Sequence, residues 1–322
     1  MSLLEEIVRD EIKRQRRPPD GKLHPSSDLL GSLRHTQLRA AGAPEVERDL
    51  TSDVRMMTGT LWHKWFEDNF HRRRIPAMSE VKLDPWMPTG WSGTADWIIW
   101  DFEADAWGLK DVKTIKGEGI KWIVKDGTKD EYHWQTSLYW HALRRWNFGP
   151  LLNEIDIFYF PMNAVQGEIV EPVSTVVKPL PADLVLGVAN DRWQATTKYL
   201  DALNHDPSKY QGFPPEAYLN EHLAPVQDRV QILRWVKDKK RWEVKLAPHW
   251  SAQYCPFPDE LCDCNQAGMT LIGSWNLDGV YEPRKGEEFE GIEPAVRPDD
   301  RDIKKKREEF GSGNTSDEAV VI

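Results

Sequence analysis

The chain has 322 residues, of which 40% are hydrophobic and 29% charged, a size that suits one large domain or a core of about 200 residues with attachments. Its first residues, MSLLEEIVRDEIKRQRR, are amphipathic and charged, which excludes a secretory signal there, and no run approaches the roughly 18 apolar residues of a membrane span. Three cysteines, all after residue 254, do not make a secreted disulfide framework. We therefore expect a cytoplasmic protein that has no membrane partner.

The net charge of −10 argues mildly against a protein that holds nucleic acid by its overall charge. The charge is unevenly distributed, however. Residues 108–129 carry six lysines against three acids, residues 230–246 carry six basic residues against two acids, and the last 41 residues carry twelve acids against eight bases. Taken alone, the two basic stretches favour a solvated face rather than a binding surface.

Helices and strands alternate in the first two thirds of the chain. In chain order, the patterns predict a helix over 2–15, a helix over 28–41 capped by Ser27, a helix over 53–71, strands over 90–101 and 107–116 forming a hairpin, a Gly- and Lys-containing loop over 117–130, a helix over 131–146, strands over 154–162 and 168–177, and a helix over 182–203. Helices before, between and after a run of strands predict an α/β fold with one mixed central sheet flanked by helices.

The predicted domain organisation has four parts. Residues 1–50 form an N-terminal helical segment, and residues 51–206 form the core. From residue 207 the pattern weakens, and residues 207–281 hold all three cysteines in a segment expected to pack near the core. Residues 282–322 are rich in charge, Pro and Gly, which is typical of a mostly disordered tail.

The residues most suggestive of chemistry lie on the predicted hairpin. Asp111 and Lys113 are two apart on one strand, so their side chains leave the same face, and Asp96 lies on the neighbouring strand. Two carboxylates that converge with the Val112 carbonyl would make an all-oxygen environment for Mg²⁺ or Mn²⁺. A lysine beside such a site can orient or deprotonate water, or balance charge on a phosphate.

Plainer explanations exist for each residue singly. A D-x-K on a strand is usually an exposed ion pair. His63 could be a satisfied core histidine, Tyr139 could be core packing, and Gln135 could be a surface residue. The order and spacing of these residues, taken together, favour a catalytic site.

The series Gly93-x-x-Asp96, Asp111-Val112-Lys113 and Gln135-x-x-x-Tyr139, preceded by His63 on a helix, resembles the motifs of RecB-like nucleases of the PD-(D/E)xK family. The resemblance spans about Gly59 to Ala142 and implies a restriction-endonuclease-like core. It implies metal ligands and catalytic and DNA-holding residues as follows: His63, Asp96, Asp111 and the Val112 carbonyl as ligands of Mg²⁺ or Mn²⁺; Asp96, Asp111, Lys113, Gln135 and Tyr139 as catalytic residues; Gln135 and Tyr139 as DNA contacts. Separately, the position of Lys116, Lys121 and Lys125 in and around the glycine-containing segment 117–119 suggests that they contact DNA phosphates.

Many RecB-like nucleases, including the CRISPR-associated and AddB-type ones, hold an iron–sulfur cluster through four cysteines, one early and three late. Here Ala252 stands where one late ligand is expected, and the early helical region 29–34 has no cysteine. Three cysteines cannot complete a Cys₄ cage, which argues against the cluster. Two alternatives remain open: packing of Trp250, Tyr254 and Phe257 fills its place, or Cys255, Cys262 and Cys264 hold a structural metal such as Zn²⁺ with His249 or His35.

The expected function is a metal-dependent DNA exonuclease that hydrolyses phosphodiester bonds from single-stranded or duplex ends. The resemblance implies a role in recombination or repair and a phage origin, hence the cytoplasm of a bacterial host. No P-loop is present, so a helicase, a recombinase or a single-strand-binding protein would be a separate partner. The alternatives are a structure-specific endonuclease with the same site and a non-catalytic DNA-binding subunit.

Overall fold

The computed structural model describes residues 6, 10, 11, 20–46, 50–162, 170–203, 223–224, 229–248, 255–258, 261–262, 264, 270–284 and 297–311. The chain divides into two compact units, Met1–Leu223 and Ala224–Ile322. Most of the helix predicted over 2–15 lies outside the described residues.

A five-stranded mixed sheet forms the centre of the first unit. Its strands are β1 (Ala77–Lys82), β2 (Thr94–Asp101), β3 (Ala106–Ile115), β4 (Leu151–Pro161) and β5 (Val173–Val177), and their spatial order equals their chain order. All neighbouring strands run antiparallel except β3 and β4, which are parallel. The structure thus confirms the α/β class with a central mixed sheet, and it adds β1, which the sequence patterns do not predict.

Helices precede and connect these strands. They are α1 (Pro25–Asp28), α2 (Leu33–Ala40), α3 (Leu50–Arg73), α4 (Gly117–Asp126), α5 (Asp130–Trp146) and α6 (Ala182–Ala202), with a short 3₁₀ turn at Asp84–Trp86. Parallel neighbours require a crossover connection, and α4 and α5 together provide it between β3 and β4.

Alternate residues of β4 show how helices flank the sheet. Phe158 and Phe160 contact the aromatic side of α3, whereas Tyr159 contacts Tyr132 of α5. The period of two along a strand therefore places α3 against one face and α5 against the other. The apolar core around this sheet includes Ile98, Leu109, Leu138, Ile155 and Ile157, all essentially buried.

Two sequence predictions in this unit are wrong. Residues 117–126 form the helix α4 rather than a loop, because Ile120 and Ile123 turn one apolar face inward and offset the low helix propensity of the two glycines. The single helix predicted over 28–41 is two helices, and Ser27 lies inside α1, whose N-cap is His24. Around Gly31 the chain turns so closely that an added Cβ would lie 2.0 Å from the Ser27 carbonyl oxygen.

The second unit is built on a four-stranded antiparallel sheet. Its strands are β6 (Arg229–Val236), β7 (Arg241–Pro248), β8 (Thr270–Trp275) and β9 (Tyr281–Pro283), in that spatial order. A helix, α7 (Asp300–Gly311), lies within the segment for which the sequence predicts a mostly disordered tail. Its Ile303 is buried in a cluster with Trp235 and Trp242, which explains why this charged segment is ordered.

No helix among the described residues is both long enough and apolar enough to cross a membrane.

Candidate active site

A buried turn fixes the start of β2. The carboxylate of Asp84 accepts hydrogen bonds from the Ser92 hydroxyl (2.9 Å) and from the Gly93 backbone N–H (3.1 Å). The Gly93 carbonyl in turn accepts a hydrogen bond from the Leu83 N–H (2.8 Å). These bonds set the direction in which the chain enters β2, and therefore the position of Asp96, three residues further on.

Asp96 and Asp111 lie on the adjacent strands β2 and β3. Oδ2 of Asp96 accepts a hydrogen bond from the backbone N–H of Val112 at 2.9 Å, which ties the carboxylate to the strand that carries Asp111. Asp111 is 1% exposed, and its two oxygens lie 3.1 and 2.9 Å from Nζ of Lys113. The two-residue spacing thus brings the carboxylate and the ammonium group together on one face, as the sequence predicts.

A chain of side chains continues from Lys113 to helix α5. Nζ of Lys113 donates to Oε1 of Gln135 at 3.3 Å, and Nε2 of Gln135 donates to the Tyr139 hydroxyl at 3.2 Å. Gln135 and Tyr139 are one helical turn apart, and both are buried. Gln135 is therefore not a surface residue, and Tyr139 does more than fill the core, since its hydroxyl is bonded to the side chain that holds Lys113.

Gly93 and Tyr132 complete the surroundings of this chain. A Cβ added at Gly93 would lie 2.7 Å from Cε1 of Tyr139, so the glycine allows the tyrosine ring to approach the turn. Nζ of Lys113 also lies 5.1 Å from the ring centroid of Tyr132, within the range of a cation–π contact. Tyr132 was not a predicted site residue. Its position three residues before Gln135 on one helix is the signal that could have identified it.

Helix α3 brings His63 to the other side of Asp96. Nε2 of His63 lies 3.7 Å from Oδ2 of Asp96, and Nδ1 lies 3.2 Å from Oε1 of Glu80. The nearby Val112 carbonyl also raises the pKa of His63. His63 is thus next to Asp96 and Val112, the residues with which the sequence grouped it, and it is not an isolated core histidine.

Glu80 is a site residue that the sequence reasoning missed. It lies on β1, and its carboxylate, His63 and Asp96 offer donor atoms that all lie within 4.8 Å of one another. Its backbone φ is +49°, an uncommon conformation for a residue with a side chain. No motif in the sequence marks Glu80, because it belongs to a short strand that the patterns do not predict.

The site concentrates negative charge in a buried place. Burial, and next the charge of Asp111, raise the pKa of Asp96 to about 7. Burial alone would lower the pKa of Lys113, but Asp111 and Asp96 outweigh it and raise that pKa. The pKa of His63 is raised, first by its hydrogen bond to Glu80, against burial, which lowers it.

These groups fit a divalent cation. A histidine nitrogen, carboxylate oxygens and a nearby backbone carbonyl are donors that Mn²⁺ accepts, and the oxygens are those that Mg²⁺ prefers. Oδ2 of Asp111 is buried and receives no hydrogen bond of good geometry from the described residues, so beside its ion pair with Lys113 it can also serve as a ligand of a cation. A cation would also reduce the repulsion that raises the pKa of Asp96.

The three lysines predicted to touch DNA lie at or on α4, beside the end of β3. Lys116 is the N-cap of the helix, and Lys121 and Lys125 lie one turn apart further along it. All three side chains are exposed, and Lys125 lies over the ring of Trp122 at 5.2 Å. The structure thus presents three cations on the segment that directly follows Lys113.

The sequence of the chain matches no family model and no curated protein. Among solved structures, the chain is similar to LHK-Exo, an alkaline exonuclease from Laribacter hongkongensis. In the crystal structure with dAMP the identity is 17%, the TM-score is 0.39, and the match covers 56% of this chain and 89% of that chain. In a second crystal structure of the same exonuclease the identity is 15% and the TM-score is 0.38. That match covers 57% of this chain and 90% of the other. A likeness of this size leaves the function to be inferred from the residues of the site.

Proposed function

We propose that the chain is a metal-dependent nuclease of the RecB-like PD-(D/E)xK type that hydrolyses DNA from its ends. One observation carries this proposal. His63, Asp96, Asp111, Lys113, Gln135 and Tyr139, spread over 77 positions of the sequence, meet in one buried network in which each contacts the next or lies on the adjacent strand. Because burial of a carboxylate costs free energy, exposed ion pairs alone would not account for a carboxylate as deeply buried as Asp111.

The donor groups of His63, Asp96, Asp111 and the Val112 carbonyl would hold Mg²⁺ or Mn²⁺. When bound, the cation supplies an activated water and positive charge for the phosphate. Asp96 and Asp111 balance the charge of the cation. His63 reaches the same place from α3, and Glu80 orients the imidazole through Nδ1.

Lys113 acts as a fixed cation. Its Nζ contacts both oxygens of Asp111 and Oε1 of Gln135, all of which are acceptors, so the group is held as an ammonium donor rather than as a base. A protonated lysine in this position neutralises charge that develops on the phosphate and can give a proton to the leaving oxygen. Gln135 and Tyr139 keep its Nζ in place.

The exposed lysines of α4 supply a track for the DNA backbone. Lys116, Lys121 and Lys125 lie on the crossover that leaves β3 immediately after Lys113, so a phosphate chain along α4 leads to the site. The RecB-like motifs favour an exonuclease that serves recombination or repair in a phage. A recombinase, a single-strand-binding protein or a helicase is the kind of partner that such an exonuclease would work with.

Digestion of end-labelled linear DNA with Mg²⁺ or Mn²⁺ tests the proposal, with closed circular DNA as a parallel substrate. We expect metal-dependent release of end label, no cleavage of the circle, and loss of activity in Lys113→Ala. The matched control is Lys110→Ala. Lys110 lies on the same strand and is also paired with a carboxylate, at 2.7 Å from Asp156, but it does not contact the site, so its removal should leave the rate unchanged.

Three other results would change the assignment. Cleavage of the closed circle would identify an endonuclease with the same residues. Equal loss of activity in the Lys110 and Lys113 variants would show that a general change in charge or stability, and not the site, controls the rate. Folded wild-type protein that binds DNA but cleaves no substrate with either metal would identify a non-catalytic DNA-binding subunit.

A further inference from the structure

All three cysteines of the chain come together in the second unit. Their sulfur atoms lie within 4.8 Å of one another, although Cys255 is seven positions before Cys262 and nine before Cys264. Cys262 and Cys264 are buried, and Cys255 is half-buried. None of the three forms a disulfide, and the Cys255 thiol hydrogen-bonds with both of the others. The fold thus brings the three thiols together although seven and nine positions separate Cys255 from the other two.

The segment that carries these cysteines is anchored by apolar side chains. Phe257 and Leu261 are each 1% exposed, and the Cys255 thiol donates to the Phe257 carbonyl at 3.9 Å. The Leu261 and Cys262 N–H groups both donate to the Pro258 carbonyl, at 2.9 and 3.0 Å. These two bonds hold the backbone of Cys262 close to Pro258, three positions after Cys255.

We infer that Cys255, Cys262 and Cys264 bind one structural Zn²⁺ ion as thiolates. On binding, each thiol releases its proton to solvent as its sulfur joins the metal, and the fourth position is taken by a nitrogen or oxygen donor. The site goes beyond the nuclease function and does not depend on it.

The separation of the sulfurs favours a single ion over a cluster. Tetrahedral bonds of about 2.3 Å place two zinc-bound sulfurs about 3.8 Å apart. In a [4Fe–4S] cluster each thiolate binds a different iron atom, so the thiolate sulfurs are spread more widely around the inorganic core. Sulfurs that already lie within 4.8 Å of one another need only a small adjustment to bind one ion.

The test is metal analysis of the purified full chain together with the spectrum of its cobalt-substituted form. We expect one zinc per chain. In the cobalt form we expect the intense thiolate-to-cobalt charge-transfer absorption bands. Cys255→Ser should lose the zinc; it is the best variant because Cys255 is only half-buried and its replacement is least disruptive. Asp96→Ala is the matched control, since it removes a ligand of the proposed nuclease site and should leave the zinc content unchanged.

Four results would overturn the inference, and none of them bears on the nuclease site. They are an absence of zinc in the wild-type chain, full zinc content in Cys255→Ser, the visible absorption of an iron–sulfur cluster, and a count of one free thiol after unfolding without reductant, which would reveal a disulfide. Because the cobalt spectrum is recorded on the unmutated chain, the test holds even where a variant fails to fold.

Discussion

Replacement of Gly93 by alanine tests whether the turn before β2 and the helix α5 form one unit of the site. The new Cβ would lie 2.7 Å from Cε1 of Tyr139 and 3.1 Å from Cε of Met87. Carbon atoms prefer separations of about 3.5–4.0 Å, so the tyrosine ring must move by roughly 1 Å. The ring is only 4% exposed and has little room to do so. Overpacking of this kind costs about 1–3 kcal/mol of folding free energy.

The same shift should reduce catalysis more than stability. The Tyr139 hydroxyl accepts the hydrogen bond from Gln135, which in turn holds Nζ of Lys113. A displacement of about 1 Å in a positioning group can lower the rate about 100-fold. We therefore expect Gly93→Ala to stay folded, to lose about 1–3 kcal/mol in urea denaturation, and to lose most of its nuclease activity.

The matched control is Gly187→Ala on α6. An added Cβ there meets no heavy atom within 4 Å, so the substitution improves helix propensity by up to about 1 kcal/mol without a clash. It should be at least as stable as the wild type and fully active. Equal stability and activity in the two alanine variants would refute the link between the turn and Tyr139. A double variant with Tyr139→Leu should show less than additive destabilisation, because the leucine relieves the contact.

Three further substitutions probe other parts of the chain. Tyr139→Phe removes the hydroxyl that accepts from Gln135 but keeps the ring, so we expect roughly a tenfold lower turnover with little change in stability. Asp28→Asn takes the negative partner from Arg39 at a site where the acid is 1% exposed, which should cost about 3 kcal/mol in denaturation. Glu243→Gln should lower the free energy of unfolding of the second unit above about pH 4.3. That free energy should then fall less with acid than it does in the wild type.

The sign of the last effect follows from the environment of Glu243. Burial would raise the pKa of its carboxyl, but hydrogen bonds and charges from Lys239 and Lys245 outweigh burial and lower it. The charged form is therefore favoured by folding. Its contribution is complete above the unfolded-state pKa of about 4.3 and is lost as the pH falls through the lower folded-state pKa. Parallel acid-unfolding curves for wild type and Glu243→Gln would contradict this account.

The Asp28 and Tyr139 predictions have their own tests. Unchanged denaturation midpoints for Asp28→Asn would mean that the Thr36 hydroxyl and the His24 N–H, which also donate to this carboxylate, hold α1 and α2 without the charge. If Tyr139→Phe turned over substrate at the wild-type rate, the Tyr139 hydroxyl would not be needed to position Lys113.

The sequence predicts the centre of the molecule better than its edges. The hairpin of β2 and β3 is marked by two runs rich in apolar and aromatic residues on either side of a polar turn, and a spacing of two between Asp111 and Lys113 requires only that the segment be a strand. A spacing of four between Gln135 and Tyr139 likewise requires only a helix. These local rules predict which face of its strand or helix each of these four side chains occupies, without any knowledge of tertiary structure.

Other parts depend on packing that no local pattern carries. Glycines at 117 and 119 suggest a loop, yet burial of Ile120 and Ile123 makes α4 a helix. Glu80 lies in the site because β1 pairs with β2 at the edge of the sheet. The six residues of β1 do not by themselves predict this pairing. In the second unit, charged side chains alternate with apolar ones in β7, so the strand resembles a solvated basic stretch.

One contact near the beginning of the chain has a practical consequence for shortened forms of the protein. Leu23 is 1% exposed, its N–H donates to the Gly90 carbonyl at 2.8 Å, and its carbonyl accepts from the Ser92 N–H at 2.9 Å. These two bonds clamp the residues that lead to Gly93 and Asp96. A fragment that starts after residue 28 would retain every residue of the nuclease site, yet the turn that leads to Asp96 would be held by the bonds of Asp84 and Leu83 alone. Deletion libraries that define the smallest active piece should therefore reach their limit ahead of Leu23, about seventy positions upstream of Asp96.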